Sequence, residues 1–306
     1  MRVTVRIRIV LAVTFITAAL SVSKVCAQEY LPYAIIGYPS GTAPYFFGPS
    51  AFPIPDMAKN TSGDVKCQLN GDFSWGHLAP TTDYAATFGF DLRIPLWTDR
   101  ANLCIYGQFH EWYWDTPEVR RIRRVKPEYA LDGNCAGDVY ASIVMRVLNE
   151  RKYVPLTTLR IALKSASGDD YEKARYFDAP GYFFDLCLTK SFKFRNDTFF
   201  RSVNASFNFG FVCWQTDIGC QNDAWLLAGS VELNTKIADL SVDIGGYSGR
   251  ERYYDSPLSV KVRMDILPDR RFSPFVMYQS GLRDWPFNQM RAGVTYSFRT
   301  KFHSDR

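Results

Sequence analysis

The sequence predicts an all-β fold: an antiparallel up-and-down transmembrane β-barrel of about 12 strands, preceded by an extended N-terminal segment. Three observations carry this. From Val65 onward apolar and polar residues alternate with period two, as strands with two different faces require. The connections between the alternating segments are compact at every second junction, and several of those between are longer, notably 115–137 and 167–180, which is the layout of a membrane barrel with short turns at one end and loops at the other. Aromatic residues reach 16% (23 Phe, 18 Tyr and 7 Trp), an excess that girdles at two membrane interfaces would use.

The elements follow in chain order. Residues 1–27 have the parts of a secretory signal: basic Arg2, Arg6 and Arg8, an apolar run Ile9–Val22, and the small exit Val25-Cys26-Ala27. We place cleavage after Ala27. Acylation at Cys26 is the rival, and Ser23 and Val25 suit it poorly. This segment also explains most of the net charge. The chain carries 36 Lys+Arg against 31 Asp+Glu, a formal +5, but Arg2, Arg6, Arg8 and Lys24 lie in the first 27 residues with no acid. Without them 32 bases face 31 acids, a balance that argues against a nucleic-acid partner.

Residues 28–64 form a Pro-, Gly- and aromatic-rich segment. Its uncharged run Tyr30–Pro55 is long enough to cross a bilayer, but six prolines between Pro32 and Pro55 exclude a continuous helix. Tyr45, Phe46, Phe47 and Phe52 predict that it packs on something, either as a plug in the lumen or along the periplasmic rim.

The barrel itself is expected over 65–298. Its first segment sets Val65, Cys67, Leu69, Gly71, Phe73 and Trp75 against Lys66, Gln68, Asn70, Asp72 and Ser74. The second spans 84–96, and ten more follow around 102–114, 138–149, 156–166, 181–192, 197–214, 224–233, 237–247, 257–267, 274–282 and 288–298. A soluble sandwich or closed barrel alternates too. There, however, the polar face looks outward; here the apolar face is uniformly large and aromatic, and the polar face carries too many charges for a dry core.

Polar parity assigns Lys66, Arg93, Arg146, Arg160, Lys164, Lys261, Arg263 and Arg291 to the lumen, with Asp72, Asp83, Asp91, Asp185, Glu232, Asp239, Asp243 and Asp265. Because unpaired buried charge is costly, this balanced set predicts a salt-bridged interior of mainly structural role, or else a narrow channel with acidic and basic walls. The last segment holds Gly293, Tyr296 and Phe298 in a spacing that resembles the C-terminal assembly signal of bacterial outer-membrane barrels, followed here by a tail, 299–306. The resemblance implies the bacterial outer membrane as location and the barrel assembly machinery as partner. Other expected partners are outer-membrane lipids, lipopolysaccharide, and a periplasmic or outer-membrane protein.

Candidate chemistry is sparse. The histidines are His77, His110 and His303, and His110 lies in the aromatic run Phe109–Trp114, where an interfacial role is commoner than catalysis. No cofactor motif and no Cys-x-x-Cys metal spacing is present. Cys213 and Cys220 flank one loop and could close it in an oxidising compartment. Arg120, Arg121, Arg123 and Arg124 form a basic loop, readable as a contact for an anionic surface or as a solvated face pairing with Glu118 and Glu128.

Phe287–Val294 with Tyr278 and Ser280-Gly281, and Ile94-Pro95-Leu96-Trp97 followed by Tyr106-Gly107-Gln108 and Trp112-Tyr113-Trp114, resemble strands of the outer-membrane phospholipase A barrels. The resemblance implies twelve strands and a His-Asp-Ser-Asn-Gly nucleophile motif. The matching stretch here is Lys164-Ser165-Ala166-Ser167-Gly168, with Lys for His and Ala for Ser. It supports the architecture and counts against the activity. The expectation is therefore a non-enzymatic barrel, acting as a narrow pore or a partner-binding scaffold. The alternative is a hydrolase with a rearranged site using Ser165 or Ser167.

Overall fold

The computed structural model describes residues 47–76, 83–96, 99–123, 125–177, 179–194, 199–217, 220–248 and 256–298. The expected leader 1–27, the tail 299–306, and the part of the N-terminal segment before residue 47 lie outside them.

Twelve long strands close into one antiparallel barrel. They are β1 (Val65–Gly76), β2 (Tyr84–Pro95), β3 (Ala101–Trp114), β5 (Val139–Leu148), β6 (Leu156–Lys164) and β7 (Gly181–Lys193), then β8 (Phe200–Asp217), β9 (Cys220–Thr235), β10 (Ala238–Ser248), β11 (Leu258–Ile266), β12 (Phe272–Arg283) and β13 (Phe287–Phe298). Each pairs with its sequence neighbour, and β1 pairs with β13 from Val65↔Phe298 to Gly76↔Phe287, so no edge is left open. A thirteenth strand, β4 (Asp132–Cys135), pairs only with the far half of β3. The sequence reading missed it because four residues, Asp-Gly-Asn-Cys, carry no alternation.

The pleat sorts the side chains by phase. On β1, Asn70, Asp72 and Ser74 point inward and are buried, while Leu69 and Phe73 are about half exposed on the outside. The same inversion recurs at Ile161 and Leu163, Phe207 and Phe209, and Trp225 and Leu227. An apolar exterior around a polar interior is stable only with lipid outside, so this is a membrane-spanning barrel. Strand lengths of 9–18 residues suffice for the crossing.

Both barrel ends of the chain, Val65 and Phe298, lie at one rim, the turn end, which also carries the compact connections. The opposite rim, the loop end, bears the three longest connections, 115–138, 165–180 and 249–257, together with the tight β8–β9 and β12–β13 turns. The longest includes a seven-residue helix, α1 (Pro117–Arg123), and the β6–β7 loop includes a 3₁₀ turn at Tyr171–Lys173.

Most of the apolar core lies inside the barrel at the loop end. Phe47, Phe52 and Ile54 of the N-terminal segment pack there with Phe177, Phe183, Trp214, Tyr247, Trp285 and Phe287.

Candidate functional site

The N-terminal segment runs through the lumen. At the loop end Gly48 N–H donates to Ala174 O (2.9 Å), Arg123 Nη2 donates to Phe47 O (2.8 Å), and Trp285 Nε1 donates to Pro49 O. Midway, Thr158 Oγ1 donates to Ala58 O, Thr189 Oγ1 donates to Lys59 O (3.3 Å), and Lys59 Nζ sits 2.7 Å from Asp243 Oδ1. Asp56 pairs with Lys261. At the turn end Ser62 and Asn102 exchange two hydrogen bonds of 2.7 Å, and the chain enters β1 at Val65. The described part of this segment lies among inward-facing side chains of the barrel wall.

Prolines explain why this path is open to it. Pro49 sits in a turn closed by Ala51 N–H donating to Gly48 O, Pro53 and Pro55 follow in chain without regular structure, and all three remove amide donors that a lumen traverse would have to satisfy. Phe47 meets Phe177 at 5.2 Å and Phe52 at 5.5 Å between ring centroids, and Phe52 meets Phe177 at 5.4 Å. Each fully buried aromatic of this kind contributes roughly 1.5–3 kcal/mol.

A buried ionic cluster roofs the seal. Arg175, from the β6–β7 loop, is excluded from solvent and binds Glu111 of β3 (Nη2–Oε1, 2.7 Å), Asp83 (2.9 Å) and Asp115 (3.2 Å). Arg123 of α1 reaches Asp83 at 2.7 Å. The one-turn helix before Arg175 is flanked by two non-glycine residues in the left-handed region, Asp170 (φ 60°) and Ala174 (φ 56°). Such residues persist only where surrounding contacts over-determine them, and here they turn Arg175 inward. Burial works against ionisation of Asp83, but Arg175 and Arg123 outweigh it and hold its carboxyl at about 2. For Asp115 burial prevails over Arg175, helped by the negative charge of Asp83, and pushes the carboxyl up to about 7.

Beside the threaded segment lies a cavity of about 520 Å³, lined by many charged side chains, that extends from Tyr176 and Trp285 near the loop end to Pro268, Thr295 and Ser297 at the turn end. Of the residues assigned to the lumen from sequence, Lys66, Asp91, Arg93, Arg160, Glu232, Asp239, Asp243, Lys261, Arg263, Asp265 and Arg291 line this cavity. Asp72 binds Arg291 (2.7 Å), Asp185 binds Arg160 (2.8 Å), and Arg263 grips Asp265 with two bonds. Lys164 lies deeper, on Asp138 (2.8 Å) and the carbonyls of Phe177 and Ala179. Arg146 is at the turn-end rim on Asp99, and Asp83 belongs to the ionic cluster. Gly293 packs beneath Phe275, and Tyr296 stacks with Phe272 and Phe298.

Two expectations need correction. Arg123 is not part of a surface basic patch: it is buried in the ionic cluster, because α1 turns that face onto the barrel mouth. Arg121 pairs with Glu118, Arg120 caps the carbonyls of Pro127 and Tyr129, and Arg124 lies outside the described residues. Cys213 forms no bridge with Cys220. It is a free buried thiol placed opposite Asp223, whereas Cys220 lies opposite Asp217 at the hairpin tip. The strands β8 and β9 continue beyond their expected ends, so the two cysteines stand at different heights on one ladder rather than astride a loop.

The residues that fasten the plug and its roof, Asp56, Lys59, Glu111, Asp115 and Arg175, were not singled out from sequence. Asp56 and Lys59 carried one usable signal: they are the first charges after the uncharged run Tyr30–Pro55. Ser165 and Ser167 bond each other at 2.8 Å, and His110 stacks edge-on against Trp112. His77 and His303 lie outside the described residues. Among the described residues no cluster of three or more His, Cys, Asp or Glu side chains is placed to hold a metal.

No protein-family model and no curated protein matches the sequence. Solved structures do. An outer membrane channel from Pseudomonas putida F1 superposes with TM-score 0.54 at 9% identity, over 80% of this chain and 100% of that one. The NanC porin (TM-score 0.45, 10% identity, 76% and 100%) and the KdgM porin (0.44, 11%, 76% and 99%) also match. At these identities the likeness is one of fold.

Proposed function

We propose that this protein is a non-enzymatic channel of the bacterial outer membrane whose lumen is closed on the loop side by residues 47–54 and opens when that segment withdraws. One observation carries the reading. The cavity is lined by charges and continuous with the turn end, yet at its loop end residues 47–54 of the same chain occupy the space between wall side chains such as Phe183, Trp214 and Tyr247. A purely structural interior would be filled by wall side chains, as small barrels are.

The short-turn rim faces the periplasm and the loops face outward, as in outer-membrane barrels generally. The membrane location agrees with the inverted barrel and with the fold of the channel structures it resembles.

Liposome swelling tests the proposal. Protein lacking residues 47–60 should admit a small uncharged sugar several-fold faster than the full chain, and equal rates would count against it. The hydrolase alternative, with Ser165 or Ser167 as nucleophile, has weaker support. Each serine hydroxyl is engaged with main-chain carbonyls of Val139 or Gly137, and His110 is held against Trp112.

A further inference from the structure

We propose that the turn-end cavity is an anion site in which Lys66 and Arg93 together hold one carboxylate or phosphate group of a small solute. This rests on the channel reading and names the solute class for it. Lys66 and Arg93 are direct cross-strand partners on β1 and β2, both lining the cavity. Like charges placed directly opposite on a ladder are destabilising unless something lies between them.

Carboxylates attract both, Asp265 and Asp64 near Lys66 and Asp91 near Arg93, but none is in close hydrogen-bonded contact with either cation. Elsewhere in the lumen cations have close carboxylates: Arg291 on Asp72, Arg160 on Asp185, Lys59 on Asp243. Among the described residues Arg93 has only Asp91 as an ion-pair partner, at 3.8 Å, and its buried Nε makes no hydrogen bond. Lys66 has no side-chain partner among the described residues. The nearby Asp265 is engaged by both arms of Arg263, which also donates to Gln68 (3.2 Å) and lies over the Phe275 ring. Asp64 precedes Lys66 but does not line the cavity. Two adjacent cations with spare donors in a partly enclosed space are suited to a single oxyanion, which accepts charge-assisted bonds from both.

Binding to the intact protein tests this without requiring an open channel. Calorimetric titration in detergent at constant ionic strength would use potassium gluconate and potassium phosphate as the two anions. Saturable binding of at least one is expected, weakened ten-fold or more in Lys66→Gln and in Arg93→Gln, and retained within about three-fold in the charge-conserving Lys66→Arg. The anion that binds tighter distinguishes a sugar acid from a phosphate. Absence of binding by both anions, or equal binding in the wild type and both Gln variants, would overturn the site. A plug-deleted protein that binds but does not conduct would overturn the channel reading and leave the anion site standing.

Discussion

Arg175 and Asp83, 92 residues apart in sequence, are joined by a 2.9 Å ion pair from which solvent is excluded on both sides. This contact ties the β6–β7 loop to the β1–β2 loop directly above the threaded segment. Substituting Arg175→Met leaves Asp83 and Glu111 buried with too little positive charge. The cost of unpairing such a cluster is about 3–5 kcal/mol. We expect earlier loop opening on heating and faster proteolysis within 165–177, while the strand content of the barrel is unchanged by circular dichroism.

The plug should be tightest in mild acid. With Asp115 protonated, the cluster holds two carboxylates, Asp83 and Glu111, against Arg123 and Arg175; with Asp115 ionised it holds three. The Asp115 pKa is raised to about 7 in the fold, so the folded state binds this proton more tightly than the unfolded chain does. Its stabilisation therefore falls as pH rises from about 4 to about 7. Asp83, held down at about 2, acts in the opposite sense only below pH 4. Open probability in planar bilayers should rise from pH 5 to pH 8 on the loop side, and Asp115→Asn should flatten that dependence.

The plug's own charges are weaker fastenings. Lys59 and Asp243 are each about one-fifth exposed, so solvent screens their pair. Lys59→Met is expected to cost about 1 kcal/mol of plug docking, roughly a five-fold rise in the open population. Thermal stability of the barrel should change little, because no strand pairing is touched. A large drop in melting temperature would place Lys59 in the barrel's framework instead.

The outer face can be tested separately. Leu227 lies mid-strand on β9 and is 55% exposed. Leu227→Arg would set a charge against lipid, at about 2–4 kcal/mol near the bilayer centre. Refolding into lipid vesicles should show that loss. A neutral outcome would mean that this face does not meet hydrocarbon.

How much of this could be read from sequence follows from what alternation encodes. Strand faces depend on local phase, so Asp72, Arg160, Asp185 and Arg291 could be directed inward with no knowledge of partners. Pairing was beyond reach, because Asp72 and Arg291 are 219 residues apart and meet only when β1 closes on β13. The route of residues 47–64 has no periodicity at all: its contacts are main-chain carbonyls, scattered rings and two ion pairs, Lys59 with Asp243 and Asp56 with Lys261. Arg123 was misplaced for a related reason. Four arginines in a loop, Arg120, Arg121, Arg123 and Arg124, look alike in sequence, and only the helical turn of α1 sends Arg123 inward.

Reversible cross-linking of the plug tests the central claim most directly. In Lys59→Cys/Asp243→Cys protein, a short thiol-reactive cross-linker with a cleavable disulfide would fasten the threaded segment to β10. The protein should show no single-channel openings while cross-linked, and openings should return in the same bilayer after reductant is added. Openings that persist unchanged with the segment fastened would contradict a lumen gated by residues 47–64.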